Sequence, residues 1–370
     1  MTWYIIILVT MLIPMAFAYL GHIRNIDTSK LVILFSASVL LLFMSCRSTN
    51  VGADTAQYTY GFKQISNTSL KELFDIRVIG LGGGYELNFE YGYRLFNKLV
   101  SFFSTSGQTI TIANSILILS LLFSLIKNES DDVFLSVWLY ITLGIFQTQM
   151  NMARNAIAIL FCYHGLKYIE EKKLSKYLFF VVLGTLFHTS SILFIPFYWI
   201  VPKVELTKKN LWTIIASSIV LGLGFSIVRP YFVRYLPLGL GEYFVKNTAK
   251  FESLVVGALH ILLMLYVWVL ISKTKRDDAV KEEKVGIWMF IANVIFFSIG
   301  FDVAAAARMA ALFGPYLIIL IPNMIKRGTK SENKRMLIVA VLIILTGIQY
   351  ILRLNINNIG STMPYEFFWN

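Results

Sequence analysis

Apolar residues along this chain gather in long runs that recur from one end to the other, with short polar stretches between them. A helix needs roughly 17 to 25 such residues to cross about 30 Å of hydrocarbon. The runs predict membrane spans over about residues 3–21, 31–46, 108–126, 133–150, 154–169, a long stretch 176–201, 211–228, 253–271, 285–301, 305–325 and 335–352. The expectation is an all-α polytopic integral membrane protein of about 11–12 membrane helices, with residues 1–370 forming a single polytopic domain. The first run, TWYIIILVTMLIPMAFAYLG, ends in an AFA that mimics a signal-peptidase site. It lacks a basic stretch before it and Arg24 and Lys30 follow, so it reads as a retained helix with its N-terminus outside.

Two polar interruptions are long, about 47–107 and about 229–252, and both are expected on the outer face. The first contains RSTNVGADTAQY, a GLGGGYE turn and then ELNFEYGYRLFNKLVSFF. On a helix, Glu86, Glu90, Arg94, Asn97 and Lys98 fall on one side and Leu87, Tyr91, Leu95, Leu99 and Phe102 on another. Such an amphipathic helix lies along the interface. The GLGGGYE turn is not a nucleotide loop, because no strand precedes it and no lysine follows in the required place.

Charge sets the sidedness. The basic loops GHIRNIDTSK, KYIEEKKLSK, SKTKRDDAVKEEK and KRGTKSENKR should be cytoplasmic under the positive-inside bias. VPKVELTKKN after residue 200 is also basic, which requires an even number of crossings at 176–201. Twenty-six residues make only about 39 Å of helix. A re-entrant pair of short helices broken near FHTSS resolves this, with Thr189 or Ser190 capping the second and His188 at the outward tip.

Composition agrees: 57% of the residues are hydrophobic and 15% charged, too apolar for a soluble domain. The net charge of +12 resides in the short loops, so it implies no nucleic-acid partner. Cys46 and Cys162 lie in or beside apolar segments with no CxxC or histidine pairing, which argues for neither a disulfide nor a metal site. No internal repeat or low-complexity run is present.

Polar residues inside such a chain are the candidates for chemistry. In QTQMNMARNAIAI, Gln147, Asn151 and Arg154 share one face within about 60° if the helix is continuous. Arg154 is either an end arginine snorkelling to headgroups or part of a cavity-facing polar stripe with the amides behind it. Arg308 in FDVAAAARMAALFGPY is an end cap with Asp302 as its ion partner, or faces a ligand beside four alanines. Arg47 follows the second span on the same outward side. Three arginines on the less basic face require a reason, and a guanidinium fork fits a phosphate or diphosphate bidentately. His188 is a candidate general base or a structural histidine, whereas His22, His164 and His260 read as structural or interfacial. Asp54 is a turn residue, a second base candidate or a partner of Arg47. Glu90 pairs with Arg94 four residues on or orients a sugar. Tyr58, Tyr60 and Tyr85 form an interfacial aromatic belt or stack on sugar rings.

RSTNVGADTAQY, EYGYRLFNKLV, QMNMARNAIAI and LFHTSSILFIP, in that order, resemble the EpsG family of Wzy-like polysaccharide polymerases of bacterial exopolysaccharide, capsule and O-antigen clusters. AAAARMAALFGPY looks like the family's later arginine region. The resemblance implies a membrane glycosyltransferase at the outer face of the cytoplasmic membrane. It would move an undecaprenyl-diphosphate-linked glycan donor onto the non-reducing end of an acceptor repeat unit. Arg154 with Asn151, Arg47 with Asp54, and His188 occupy the family's motif positions; Asn155 stands where many relatives carry Gln. Membrane lipid and a chain-length regulator are the further partners implied, with no metal or cofactor. The substrate-binding set is then Arg47, Asn151, Arg154, Arg308, Gln147 and Tyr58, and the catalytic set His188, Asp54 and Glu90. Two alternatives stay open: a flippase or transporter of lipid-linked glycan, and another membrane glycosyl- or acyltransferase of polysaccharide synthesis.

Overall fold

The computed structural model describes residues 1–204, 206, 208–235, 283–300, 304–356 and 358–369, together with isolated positions between 262 and 269. Among the described residues there is no strand, only helices and two isolated bridges, so the protein is all-α. Among the described residues four helices are long and apolar enough to cross a membrane: Thr2–Arg24, Gly107–Glu129, Arg308–Gly328 and Glu332–Ile356. A bent pair, Val133–Thr142 with Ile145–Asn151, makes a fifth, and Ser29–Ser45, Leu174–Phe187 and Lys284–Ile299 are shorter apolar helices. The expected span at 253–271 and His260 lie outside the described residues.

The chain divides into two compact units, Met1–Pro196 with Ile343–Asn370, and Phe197–Leu342. In the first unit, α1 (Thr2–Thr10) and α2 (Leu12–Arg24) form the opening span, and α2 stops at Asn25, whose φ of 52° ends the helix. Then come α3 (Ser29–Ser45), α4 (Thr55–Ser66), α5 (Tyr91–Ser101) and α6 (Gly107–Glu129). The expected single span at 133–150 is instead α7 (Val133–Thr142) and α8 (Ile145–Asn151), bent by 62°. Asp132 caps α7 by accepting the Leu135 N–H at 3.0 Å. The bend sits at Gly144, with φ of 74°, and the Leu143 carbonyl it releases accepts from Arg353 at 2.9 Å. A second break at Met152 separates α8 from α9 (Ala153–Gly165), so the helix expected through 147–158 is not continuous. Residues α10 (Lys167–Glu170) and α11 (Leu174–Phe187) follow.

After α11 the chain turns back on itself. The short 3-10 helix Thr189–Phe194 runs beside α11, so that the Phe194 carbonyl accepts from the Tyr177 hydroxyl near the start of that helix. A Cβ on Gly184 would stand 2.7 Å from the Ala158 carbonyl oxygen, 2.8 Å from Cys162 Sγ and 3.0 Å from Ser191 Oγ, so glycine here lets α11 lie close against α9 and the returning segment. The break is where FHTSS places it. Its cap differs from the expectation of Thr189 or Ser190: His188 holds that position and accepts the Ser190 N–H.

The amphipathic helix is also present, but it begins at Tyr91 rather than at Glu86. Glu86 and Leu87 precede it in an extended stretch where Ile79 bridges Glu86, closed by the turn whose Gly82 and Gly83 have φ of 95° and 76°. Its polar side is the buried one. Arg94 donates to the carbonyls of Phe89, Phe74 and Ile76 at 2.7, 3.1 and 2.9 Å, and Lys98 to that of Ser66 at 2.9 Å. Those loop carbonyls have no helical partner of their own, and the cations satisfy them. Tyr91, Leu95, Leu99 and Phe102 face outward, as an apolar stripe on an interfacial helix should.

The second unit contains α12 (Phe197–Lys203), α13 (Lys208–Tyr235), α14 (Lys284–Ile299), α15 (Ala304–Phe313), α16 (Leu317–Gly328) and the first part of α17 (Glu332–Ile356). Phe296 stacks on Phe313 at 5.7 Å and Asn293 donates to the Ala310 carbonyl at 2.9 Å, joining α14 to α15. Arg229–Tyr235, expected in an outer loop, continue α13, and the rest of that loop lies outside the described residues.

Candidate functional site

Three separate segments of the first unit meet at Arg154 and Glu90. The break at Met152 starts α9 with Ala153, which leaves Arg154 in its first turn and turns its side chain to the 47–106 segment. Glu90 occupies the cap position of α5 with extended backbone, φ −64° and ψ 154°, so its carboxylate projects from the helix start. Arg154 Nη1 donates to Glu90 Oε2 at 2.6 Å and to the Asn88 carbonyl at 2.8 Å. The two side chains are 19% and 16% exposed. The other carboxylate oxygen, Oε1, accepts the Thr189 N–H at 3.1 Å and lies 3.8 Å from His188 Nδ1. One carboxylate therefore joins the arginine of α9 to the tip of the α11 hairpin. Glu90 is paired with Arg154, not with Arg94 four residues on, since Arg94 is occupied by loop carbonyls.

Aromatic rings form the bed under the guanidinium. Its carbon lies 4.8 Å from the Phe89 ring centre, 5.8 Å from Tyr93 and 5.9 Å from Tyr58. Ring faces so placed attract the cation and hold its fork in one plane. Burial raises the phenol pKa of Tyr58, with Arg154 opposing, and pushes that of Tyr93 up to about 12, so both stay protonated at neutral pH. Tyr58 is buried within this bed, while Tyr60 and Tyr85 are exposed elsewhere on the segment. His188, a third exposed and beyond the end of α11, has its pKa lowered chiefly by burial; the Glu90 carboxylate opposes the shift and Arg154 adds to it.

Asn151 and Asp54 adjoin this group. Asn151 Oδ1 accepts the Asp54 N–H at 2.8 Å, tying the end of α8 to the start of α4. The backbones come so close here that a Cβ on Gly52 would stand 3.2 Å from the Asn151 Cα, and Gly52 itself has φ of 92°. The motif glycine of NVGADT is needed on both grounds.

The other expected residues are placed differently. Arg47 is 2% exposed, and its guanidinium donates to the carbonyls of Met44 and, at 2.9 Å, Met150. Burial pulls its pKa down to about 10, which leaves it charged at neutral pH. It fixes the chain four residues before Arg154 and presents no open fork. Gln147 is buried against the Tyr350 hydroxyl, away from Asn151 and Arg154, because the helix breaks between them. Arg308 lies exposed on α15 in the second unit, and Asp302, its expected ion partner, lies outside the described residues.

Several contributors carried no sequence signal by spacing: Asn88, Phe89 and Tyr93 around Arg154, and Thr189 on Glu90. The C-terminal segment is another. Ser48 N–H donates to the Glu366 carbonyl at 2.9 Å, Phe368 N–H to that of Cys46 at 3.0 Å and Gly52 N–H to that of Ser361 at 2.9 Å. Tyr365 donates to the Phe43 carbonyl at 2.7 Å, and Phe367 stacks with Trp369 at 4.6 Å. This strap holds the Arg47–Gly52 turn, and the YEFFW aromatic cluster was its only trace in the sequence.

We find no match to the chain among curated proteins or among solved structures. A family model, described as the EpsG family, matches residues 30–367, a stretch that includes Arg47, Asp54, Glu90, Arg154, His188 and the C-terminal strap as far as Phe367. The chain belongs to the EpsG family and is a membrane protein of polysaccharide biosynthesis.

Proposed function

We propose that this protein polymerises undecaprenyl-diphosphate-linked oligosaccharide repeat units into an exopolysaccharide, capsule or O-antigen at the outer face of the bacterial cytoplasmic membrane. The observation that carries the reading is the meeting of Arg154, Glu90 and the His188–Thr189 tip in one partly exposed cluster. A fixed guanidinium with an aromatic bed suits an anion whose charge grows during reaction. The acceptor hydroxyl attacks the anomeric carbon of the donor. A new C–O bond forms as the bond to the diphosphate breaks, and undecaprenyl diphosphate leaves with the electron pair. The hydroxyl proton passes to a base, for which His188, Asp54 and Glu90 are the candidates.

Within this reading Arg154 binds the diphosphate, displacing or sharing Glu90. Arg47, Asn151 and Tyr58 hold the surrounding backbone and rings, Gln147 packs further off against Tyr350, and Arg308 is a substrate-binding proposal that rests on the family pattern alone. A chain-length regulator would act on the growing polymer. Purified protein given one defined lipid-linked repeat should yield a ladder of longer products on a gel, and Arg154→Ala should yield the single repeat. A ladder of unchanged length from that variant, inserted normally, would refute the assignment. A flippase would move the lipid-linked repeat across vesicles and produce no ladder.

A further inference from the structure

The proton on His188 is placed by the donor that its ring accepts from. His188 ends α11 with extended backbone and caps the returning 3-10 helix: the Ser190 N–H points at Nδ1 from 3.3 Å, with Ser190 Oγ 3.1 Å from the same atom. A backbone N–H can only donate, so Nδ1 is the acceptor and the neutral ring carries its proton on Nε2. Glu90 could favour the opposite tautomer only by accepting from Nδ1. Its Oε1 stands 3.8 Å away, beyond hydrogen-bond reach, and accepts the Thr189 N–H at 3.1 Å instead. Among the described residues Nε2 has no hydrogen-bond partner, and the side chain is 32% exposed.

We infer that His188 serves this site as a hydrogen-bond donor through Nε2–H to an oxygen of the substrate, and not as its general base. The role rests on the polymerase reading. The lone pair of the neutral ring is engaged at Nδ1, so accepting the hydroxyl proton at Nε2 would first require the helix cap to break. Arg154 and the His188–Thr189 tip are joined through opposite oxygens of Glu90, so a substrate bound over this cluster has a fixed cation and the unpartnered Nε2–H of a neighbouring ring for its oxygens. A diphosphate oxygen has that chemistry. The proton of the acceptor hydroxyl is then left to a carboxylate, Asp54 or Glu90.

The test separates donor from base. In His188→Gln the terminal amide can still donate from near the position of Nε2, but it cannot act as a base. Polymerisation by this variant should stay within about tenfold of wild type, whereas His188→Ala should lose about 10²-fold, as removal of one preorganised donor does. Equal losses in the two variants would overturn the inference. A second measurement needs no turnover. In histidine-labelled protein, the ¹⁵N resonances missing from the Gln variant should show a protonated Nε2 and a bare Nδ1; the reverse tautomer would overturn the inference whatever the variants do. Wild-type protein with the expected tautomer but no ladder from a defined lipid-linked repeat would count against the polymerase reading, so the two failures are distinguishable.

Discussion

Arg154 Nη1 and Glu90 Oε2 lie 2.6 Å apart although 64 residues separate them in sequence. The pair closes the 47–106 segment onto α9, and the cation can reach a second anion only from its exposed side. Replacing Arg154 by Lys keeps the charge but removes the planar fork and its fit to the Phe89 ring. Lys at 154 should restore little of the activity lost in Arg154→Ala, about 10²-fold below wild type in polymer formed per unit time. Recovery to wild-type rates with Lys would mean that a point charge suffices.

Glu90→Gln removes the carboxylate that Arg154 and Thr189 share. The two side chains are only 19% and 16% exposed, so this variant should cost about 1–3 kcal/mol of stability. Thermal unfolding in detergent should shift down by a few degrees, and polymerisation should fall even at temperatures where the variant stays folded. Wild-type polymerisation by the folded variant would show that the pair is only structural.

The Gly52 backbone, with φ of 92°, lies against Asn151. Gly52→Ala should cost about 1–3 kcal/mol through backbone strain. It should also loosen the Asn151–Asp54 contact, which Asn151→Ala removes directly at about 1 kcal/mol. Unfolding midpoints for both variants, with wild-type behaviour as the contrary result, check this.

Phe367 is buried among Trp3, Phe43, Tyr365 and Trp369, with ring centres between 4.6 and 6.0 Å away. Phe367→Ala should destabilise by about 3–5 kcal/mol. Since the strap holds the turn after Arg47, product length should shorten even in the folded fraction. Full-length products from folded Phe367→Ala would separate the strap from the site.

The pH dependence follows from the lowered pKa of His188. Its ordinary value is 6.5, and burial moves it down, so the ring is neutral throughout the range above 6.5 and protonates only below it. Protonation would put the second proton on Nδ1 and break the cap on the Ser190 N–H, so polymerisation should be flat from about pH 8 down to about 6.5 and fall below, and His188→Gln should move that acid limb to lower pH. A limb centred above 6.5 in wild type would contradict the lowered pKa.

Much of this was legible in the chain. Of the eleven expected spans, four, or five with the bent pair, have the length to cross among the described residues, and the hairpin break is announced by the polar FHTSS inside an apolar run. Spacing failed wherever a partner is distant. Glu90 has Arg94 four residues on, the natural helical partner, but Glu90 precedes the helix and Arg94 was needed by carbonyls of the 66–76 loop. The stripe from Gln147 to Arg154 assumed one helix, and the turn at Met152 sends Gln147 to Tyr350 and Arg154 to Glu90. The strap has no periodicity and pairs by backbone, so nothing short of the tertiary structure could place it on Arg47.

Helix α5 wears its cations inward and its leucines outward. Such a float settles where hydrocarbon meets headgroup, and Glu90 is moored at its leading end. If the proposed polymerase reading holds, the level of reaction would follow the bilayer's own surface: as the sheet of lipid thins or swells, the arginine–carboxylate pair would ride with it to the height where a phosphate on an isoprenoid tether arrives.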